Sequence, residues 1–442
     1  MTNSTINTLQ TPVSQQERIT ILDSLRGIAI LGILLMNIPG FGLPEPLCYG
    51  DLSVLNEGRT GLNFKTWYFI ELSVAGTQRA LFSILFGAGI ILFISRKEKN
   101  TNNLMPAEYF FRRQLWLLVF GLFNAFVLLW FWDILFQYAI CGMILFAFRR
   151  LSAKNLIIAS VICLFLQTAR DNVSFFRDKK VIATGEMLSK KDTSTVKFTE
   201  DEKEQFGAWT SMKERSSIAE KKKEMEKSIR KMKGEYASLY KYQSERSFHG
   251  EVEYTYNGIW DILIFMFLGM AFYKNGILMG NASIKTYWAI SIAGLGLGVL
   301  LTWFRLQPWI NLNYNGYEYV KQVSLQIYEL ARAIRSVGIF GLIMLLYKSG
   351  IVKWLFALMR PVGQMAFTNY LMQSFLVGLF FYGVGFGMFG KLELYQIYYV
   401  VAGTLTLQII WSHIWLKFFR FGPLEWVWRS LTYWEMQPFK KA

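Results

Sequence analysis

Long apolar stretches, separated by shorter polar segments, recur along most of the 442-residue chain. A helix needs about 20 apolar residues to cross the hydrocarbon core of a bilayer, and each lipid-exposed span must satisfy its own backbone hydrogen bonds. We therefore predict an all-α polytopic membrane protein with about ten transmembrane helices. The predicted spans are 25–42, 67–95, 112–131, 133–148, 153–169, 258–273, 284–304, 322–347, 363–382 and 395–418.

The third and fourth spans are taken from one continuous apolar run between Arg112 and Arg149. At about 1.5 Å per residue, a single helix over this run would be much longer than the hydrocarbon core, which is about 30 Å thick. Basic pairs stand at both ends of the run, and such residues prefer the cytoplasmic side. We therefore predict two short spans joined by a turn at Trp132 and Asp133.

Basic residues also predict the orientation of the spans. With both termini placed in the cytoplasm, twenty Lys and Arg, including Arg18 and Lys99, fall on inner segments. The short outer loops hold only Arg59, Lys65, Arg305, Lys321 and Lys391. An excess of basic residues on inner loops is the usual signature of membrane orientation, so we predict that both termini are cytoplasmic.

The spans divide the chain into four parts. Residues 1–24 are predicted to be a cytoplasmic tail and 25–169 an N-terminal bundle of five spans. Residues 170–255 form a long polar extracytoplasmic insertion, and 256–442 form a C-terminal transmembrane domain of five spans with a cytoplasmic tail.

The insertion is predicted to be a loop over 178–204 and helical in its second half. Ile218, Met225, Met232 and Leu239 recur every seven residues among charged side chains, which is typical of an amphipathic helix. Two interpretations remain open: the helix lies on the outer surface of this protein itself, or it forms a homodimer contact or a lid over an outer vestibule.

Composition narrows the function classes. Hydrophobic residues make up 53% of the chain and charged residues only 18%, which is unlike a soluble enzyme. The net charge of +16 falls mostly on the inner segments, so we predict contact with the lipid bilayer and no nucleic-acid partner. Three scattered cysteines and two histidines predict neither a disulfide framework nor a metal site.

Small residues within the spans predict close helix packing. Gly294, Gly296 and Gly298 alternate inside one span, and Ser83 and Gly87 are four apart in another. Small residues at such spacings let helix backbones approach each other in lipid.

Polar residues at membrane depth are the candidates for function, because each is costly there unless it is paired or faces a cavity. In the first span, Asp23 and Arg26 are three residues apart and can pair, and Asn37 lies deeper on nearly the same face. The other candidates are Arg79, Asn124, Asp133, Glu329, Arg332, Arg335, Asn369 and Gln373. A satisfied interior ion pair or interhelical hydrogen bond remains the alternative for each of them.

Several stretches resemble one family of bacterial membrane proteins, the YeiB family. The first is LDSLRGIAILGIL at 22–34 followed by Asn37, and the next are RALFSILFGAG at 79–89 and DILxxYA at 133–139. The C-terminal stretches MAFTNYLxQS at 365–374 and FGPLEWxWRSLTY at 421–433 are similar to that family's C-terminal domain of unknown function. The resemblance covers almost the whole chain except 170–255, and it implies a multi-pass protein of the bacterial cytoplasmic (inner) membrane.

The resemblance also implies a chemistry. The family is distantly grouped with membrane acyltransferases, including the lysosomal enzyme that acetylates heparan glucosamine from cytosolic acetyl-CoA, and it has been connected with transport. On this basis acyl-CoA is the expected donor, and a small-molecule, lipid or glycan acceptor is expected on the outer side. Arg26, with Asp23, would meet the donor phosphates, and Asn37 and Asn124 would orient the acyl carbonyl. Asp133 would act as base, and Arg79 and Arg332 would line the acceptor vestibule together with Glu329, Asn369 and Gln373.

One departure from the family pattern bears on catalysis. The family usually has a His within the third span, whereas this chain has Asn124 in the string Gly121 to Ala125. An Asn side chain cannot act as a general base at neutral pH. His249 and His413 match no family site. Three hypotheses therefore remain: an acyltransferase, a transport or lipid-handling protein without a covalent step, and a partner subunit that has lost activity.

Overall fold

The computed structural model describes residues 20–55, 57–98, 104–191 and 198–441. The predicted tail falls mostly at 1–19, outside the described residues, as do Arg18 and Lys99 of the orientation argument. The regular elements of the described residues are all helices, and these residues contain no strand apart from an isolated antiparallel bridge between Phe419 and Lys440. The predicted all-α class is confirmed.

Seventeen α-helices follow one another along the described chain. The first six are α1 (Thr20–Gly42), α2 (Leu62–Ser73), α3 (Thr77–Glu98), α4 (Met105–Phe126), α5 (Leu135–Phe146) and α6 (Ala153–Leu188). The insertion contributes α7 (Glu200–Arg215), α8 (Ile218–Met232) and α9 (Tyr236–Phe248). The remaining helices are α10 (Thr255–Lys274), α11 (Ile284–Asn311), α12 (Gly316–Gln322), α13 (Tyr328–Ser349), α14 (Lys353–Gln364), α15 (Ala366–Phe381), α16 (Leu394–Phe418) and α17 (Pro423–Tyr433).

The chain is a polytopic membrane protein. In its described part, seven helical stretches are long and apolar enough to cross a bilayer: Thr20–Gly42, Leu62–Glu98, Ala153–Leu188, Tyr236–Lys274, Ile284–Asn311, Tyr328–Ser349 and Leu394–Phe418. The shorter helices Leu135–Phe146 and Ala366–Phe381 are also apolar. The number of crossings and the side on which each loop lies remain predictions from the charge pattern.

The predicted span 67–95 is interrupted rather than continuous. Helix α2 ends at Ser73, Gly76 takes a left-handed φ of +72°, and α3 begins at Thr77. The Arg335 guanidinium donates to the carbonyls of Glu71 (2.9 Å), Leu72 (3.0 Å) and Ala75, the groups that the end of α2 leaves without intrahelical partners. The break is therefore stabilised by a charged side chain from α13.

The turn between the third and fourth spans is confirmed, although it is longer than predicted. Helix α4 ends at Phe126 and α5 begins at Leu135, so Asp133 lies in the connection. The start of the predicted span 322–347 is wrong, because residues 323–327 lie outside any helix and α13 begins at Tyr328.

The predicted loop over 178–204 is wrong at both of its ends. Helix α6 continues past the predicted span end to Leu188, and α7 already begins at Glu200. Ile182 on this extension packs with Trp209 and Tyr317, so tertiary contacts support helix where the sequence is polar. Residues 192–197 of that predicted loop lie outside the described residues.

The heptad stripe of the insertion faces the protein itself. Met232 and Leu239 are fully buried in a cluster with Leu34, Phe41 and Phe381, whereas Ile218 at the start of the stripe is exposed. The stripe also spans two helices, since α8 ends at Met232 and α9 begins at Tyr236. These contacts favour a helix pair lying on its own bundle over a dimer contact.

Close packing at the predicted glycines is confirmed in part. A Cβ on Gly294 or Gly298 of α11 would overlap the backbone of α13 at Gly338 and Arg335. A Cβ on Gly296 would have no atom within 4 Å. Gly87 of α3 is in a comparable close contact with the backbone of α10 at Met266.

Candidate functional site

A pocket of about 280 Å³ opens at the end of the bundle that the charge pattern assigns to the cytoplasm. Five cationic residues line it, and they come from four different helices: Arg26 of α1, Arg96 and Lys97 of α3, Arg113 of α4 and Arg429 of α17. Asp23 and Arg26, which the sequence places on one helix face, both lie in this pocket and pair at 3.1 Å.

The two acidic residues of the pocket are already engaged by other groups. Asp23 pairs with Arg26 through one oxygen. Glu425 of α17 accepts the backbone N–H groups of Phe367 (2.7 Å) and Thr368 (3.1 Å), and so caps the N-terminus of α15. Burial raises the pKa of Glu425, although the bonds from Thr368 and Phe367 oppose the shift. Cationic side chains thus outnumber acidic ones in the pocket, and the field there favours an anion.

The interior of the pocket is apolar and aromatic. Phe82, Leu85, Phe86 and Ile90 of α3 form part of its wall. At its rim, the Arg113 guanidinium lies 3.6 Å from the centre of the Trp428 ring, a stacking that holds the charge in place. A ligand that fits this shape carries an anionic group at one end and an apolar chain at the other.

Two tyrosines in the pocket lead to buried polar groups behind it. Tyr370 lines the pocket, and its hydroxyl donates to Asp133 at 3.1 Å. Tyr138 also lines the pocket, and its hydroxyl lies 2.5 Å from the Ser83 hydroxyl and 3.2 Å from the Arg79 carbonyl. Hydrogen bonds therefore connect the pocket to Asp133 through Tyr370, and to Arg79 through Tyr138 and Ser83.

Asp133 is held by three donors. Its Oδ1 accepts from the Asn124 amide (2.7 Å) and from Tyr370, and its Oδ2 accepts from the backbone N–H of Phe136 (3.0 Å). The last bond caps the N-terminus of α5, which explains why an acid is favourable at this position. Asn124 is fully buried and orients the carboxylate, rather than facing the pocket.

Asn37, the third predicted catalytic residue, is not brought to this site. It lies on α1 and is partly exposed, but it is not part of the pocket wall, unlike Asp23 and Arg26. The residues that α1 contributes to the wall are Leu22, Asp23 and Arg26, all near the start of that helix.

Arg79, Glu329 and Arg332 come together around a residue that the sequence analysis did not single out, Asp261 of α10. We call these four residues the ion network. Both arginines donate to the Asp261 carboxylate, and the Arg332 Nε donates to Glu329 at 3.1 Å. Arg332 is 1% and Asp261 2% exposed, so the network is an interior structure that joins α3, α10 and α13.

Asn369 and Gln373 belong to a different set, which we call the amide ladder: Asn369, Gln373 and Gln408. The Gln408 amide donates to the Asn369 carbonyl (2.7 Å) and accepts from Gln373 (3.0 Å). Gln373 also donates to the backbone of α1 at Ile30 (3.1 Å). These bonds join α15 to α16 and α1. None of the three residues of the amide ladder lines the pocket.

Sequence reasoning missed several residues that the structure places at or behind the pocket. Arg113 was counted only for orientation, and Asp261 was overlooked although an acid within a predicted span is itself a signal. Glu251 could not be found from sequence, because it follows a polar stretch. It is 2% exposed in a π-helical turn at His249–Tyr254, and neither of its carboxylate oxygens has a hydrogen-bond partner in the described part of the chain.

The metal-ligating residue types do not converge where the structure describes them: no group of three or more His, Cys, Asp or Glu could hold a metal ion there. His249 pairs with Glu253, and His413 lies 2.9 Å from the Ile409 carbonyl. Cys48, Cys141 and Cys163 are buried and free.

Comparison with known proteins identifies relatives along the whole chain. Residues 272–435 match the family described as "Protein of unknown function (DUF418)". Uncharacterized protein YxaH of Bacillus subtilis (strain 168) is 29% identical, over 97% of this chain and 98% of that protein. Uncharacterized protein YeiB of Escherichia coli (strain K12) is 28% identical, over 94% of this chain and 96% of that protein. No solved structure matches the chain significantly.

Proposed function

We propose that this chain is a member of the YeiB family, because it is similar to YeiB along its length and its residues 272–435 match DUF418, and that it is an acyltransferase. It would take an acyl group from an acyl-CoA donor that enters the cationic pocket and pass it to an acceptor on the other side of the membrane. The observation that carries the proposal is the convergence of five cations at the mouth of an apolar pocket.

The donor fits the pocket by charge and by shape. Arginine binds phosphate oxygens in bidentate fashion, and Arg26, Arg113 and Arg429 stand on three different helices around the opening. The apolar wall accepts the acyl and thioester end of the donor, whose phosphates remain at the rim. At about 280 Å³ the pocket holds this end of the molecule and not the whole donor.

The transfer step uses the residues behind the pocket. The acceptor's hydroxyl or amine attacks the thioester carbonyl, the carbon–sulfur bond breaks, and the thiolate leaves. The acceptor's proton passes to Asp133 through the Tyr370 hydroxyl, which lines the pocket, and then returns to the thiolate. Asn124 is a positioning residue, since it holds the Asp133 carboxylate.

On the acceptor side, Arg79 is the accessible member of the ion network, with 24% of its side chain exposed. It also bonds the Tyr254 hydroxyl at 2.8 Å and is joined to the pocket through Ser83 and Tyr138. Arg332 and Glu329 support Arg79 through Asp261. Asn369 and Gln373 join α15 to α16 and α1 and are not part of the pocket wall.

A second candidate function is supported by the state of Asp133 itself. The carboxylate already accepts three hydrogen bonds, its partner Asn124 is fully buried, and the family's usual His is absent at that position. A protein with this interior could bind an anionic amphiphile and move or present it without a covalent step. Transport or lipid handling is therefore the alternative.

The test measures donor binding and thiol release separately, on protein purified into nanodiscs with acyl-labelled acetyl-CoA. We expect binding, and slow release of free thiol that rises when acceptor is supplied. Arg26→Gln with Arg429→Gln should weaken binding by about tenfold for each charge removed. Arg150→Gln, an exposed arginine at the same end of the bundle, is the matched control and should bind as the parent does.

Thiol release, the second measurement, distinguishes the acyltransferase from the lipid-handling alternative. Asp133→Asn should lower thiol release by roughly a hundredfold or more while donor binding is retained. Binding without any thiol release in the parent would favour the lipid-handling alternative, and no binding of the donor at all would exclude the acyltransferase. Asn124→His should raise thioester hydrolysis, because a His beside Asp133 supplies a base of near-neutral pKa.

A further inference from the structure

A second cavity, independent of the pocket, opens at the same end of the bundle. It is a groove of about 910 Å³ between α1, α13, α14 and α16. We call it the basic groove, after the five cationic residues that line it: Lys348, Lys353, Arg360, Lys417 and Lys441. Helix α14 separates it from the pocket, and Gln364 contributes to both walls.

The charge of the basic groove is not balanced within its own wall. None of the described residues that line it is acidic. Lys348 donates to the carbonyls of Gly280 (2.9 Å) and Ala282 (2.8 Å), which fixes its position without neutralising it. Lys353 and Lys417 are exposed to the groove. The buried Nε of Arg360 has no hydrogen-bond partner within the ranges that the structure describes.

The basic groove lies where apolar helices end. Lys348 is in the last turn of α13 and Lys417 in the last turn of α16, both long enough to cross a bilayer. Large apolar side chains beside it are exposed, with Ile351 at 78%, Trp354 at 66% and Phe418 at 63%. Exposed tryptophan near the ends of membrane-crossing helices is typical of the boundary between headgroups and acyl chains.

We propose that the basic groove binds the headgroup of an anionic phospholipid. The phosphate would lie among Lys353, Arg360 and Lys417, where Arg360 supplies the donor that has no protein partner. The apolar part of the wall, with Met279, Phe356 and Leu416, would contact the glycerol and upper acyl chain. A free phosphate would leave this apolar wall and the exposed Trp354 without a role, so the lipid is the better fit.

The test compares thermal stability and bound lipid in nanodiscs of pure phosphatidylcholine and in nanodiscs with one part phosphatidylglycerol in ten. Lys353→Gln with Lys417→Gln is the principal variant, because both side chains are exposed and their loss should not impair folding. Each cation near a membrane surface contributes about fivefold to the binding of an anionic lipid, so removing the pair should weaken phosphatidylglycerol binding by roughly twenty-five-fold. Arg360→Gln should weaken it independently.

The matched control is Lys222→Gln with Lys241→Gln, which removes two exposed lysines from the insertion. We expect the parent and this control to retain phosphatidylglycerol through purification, as counted by native mass spectrometry, and to melt at a higher temperature in its presence. Equal retention by the Lys353 and Lys417 variant would overturn the proposal. An equal rise in melting temperature with 10 mM inorganic phosphate in phosphatidylcholine alone would also overturn it, since the occupant would then be a soluble anion. Acetyl-CoA binding by the same variant should be unchanged, which separates this test from that of the pocket.

Discussion

The ion network and the amide ladder are both buried, each contains residues that were predicted to bind substrate, and they are built from opposite chemistry. The ion network joins α3, α10 and α13 through two arginines and two acids. The amide ladder joins α15 to α16 and α1 through neutral amides and backbone carbonyls. A spacing of three or four residues on one helix gave both sets the same appearance in the sequence.

The two sets differ in what remains buried when one side chain of the set is removed. Removing one member of a buried ion pair leaves an uncompensated charge, whereas a lost amide leaves a polar group that still has neighbours. The ion network is also joined to the pocket through Arg79, Ser83 and Tyr138, and the amide ladder is not. We therefore expect the ion network to affect both stability and function, and the amide ladder to affect stability alone.

The largest effect should follow from Asp261→Asn. This change leaves Arg79 and Arg332 with Glu329 as the one remaining acid of the network, all at low exposure. We expect a loss of about 3–5 kcal/mol in the free energy of unfolding, because an unpaired charge remains buried. Unfolding in mixed detergent micelles, followed by tryptophan fluorescence, measures it.

The control for this prediction restores the balance of charge. Adding Arg79→Gln to Asp261→Asn leaves one cation, Arg332, with its acid, Glu329, at 3.1 Å. The double variant should recover part of the lost stability, so that the two changes are less than additive. Strict additivity would mean that the four residues do not act as one network.

Much of the fold could be predicted from periodicity and charge, because these reflect burial in lipid, which the chain encodes locally. The break between α4 and α5 is an example, since the length of the run excludes one helix. The extension of α6 to Leu188 could not be predicted, because its few apolar residues, such as Ile182, are covered by Trp209 of α7 and by Tyr317 from distant parts of the chain. In that segment, helix propensity and long-range contacts determine the secondary structure, and apolar periodicity does not.

At the candidate site, too, contacts within one helix could be predicted from the sequence, and contacts between helices could not. Asp23 with Arg26, and Glu329 with Arg332, were found because their partners lie on one helix. Asp133 with Asn124 were both singled out, but their contact depends on how α4 meets the next connection. Arg113, Tyr138 and Tyr370 reach the pocket from separate helices, and no local spacing indicates that they meet.

The second prediction concerns the close approach of α3 and α10, two of the helices that carry the ion network. Gly269 lies two turns beyond Asp261 on α10, and a Cβ there would overlap the Ile84 carbonyl of α3. Gly269→Ala should therefore cost about 1–3 kcal/mol of unfolding free energy, because the helices must move apart. Gly296→Ala, at a glycine with no atom within 4 Å, is the control and should change stability by no more than about 1 kcal/mol. Equal effects would mean that the close approach is not required.

The amide ladder should respond less. Gln373→Leu removes the bonds to Ile30 and Gln408 but buries no charge. Side-chain hydrogen bonds between helices in a membrane protein contribute about 0.6 kcal/mol on average and up to about 1.7 kcal/mol, and we expect a loss in this range. Gln408→Leu should be similar, and the pair should be less than additive. A loss as large as that of Asp261→Asn would remove the distinction between the two sets, as would a change in acetyl-CoA binding.

The smallest effect concerns the one carboxylate on which the amide ladder's helix depends. Glu425 caps α15 from outside the membrane spans, and burial raises its pKa above the usual value of 4.5. The folded protein therefore holds a proton on Glu425 at a higher pH than the unfolded chain does, so stability falls as the pH rises from about 4.5 through the folded pKa. Glu425→Gln, which keeps an oxygen to accept the N–H groups, should remove this slope, and each unit of raised pKa corresponds to about 1.4 kcal/mol. Melting temperatures of both proteins between pH 4.5 and 8 measure it, and a parent that becomes more stable with rising pH relative to the variant would contradict the sign. In that case Glu425 would be charged in the folded protein and would cap α15 as a carboxylate. The helix that carries the amide ladder would then depend on a charged group, as the ion network does.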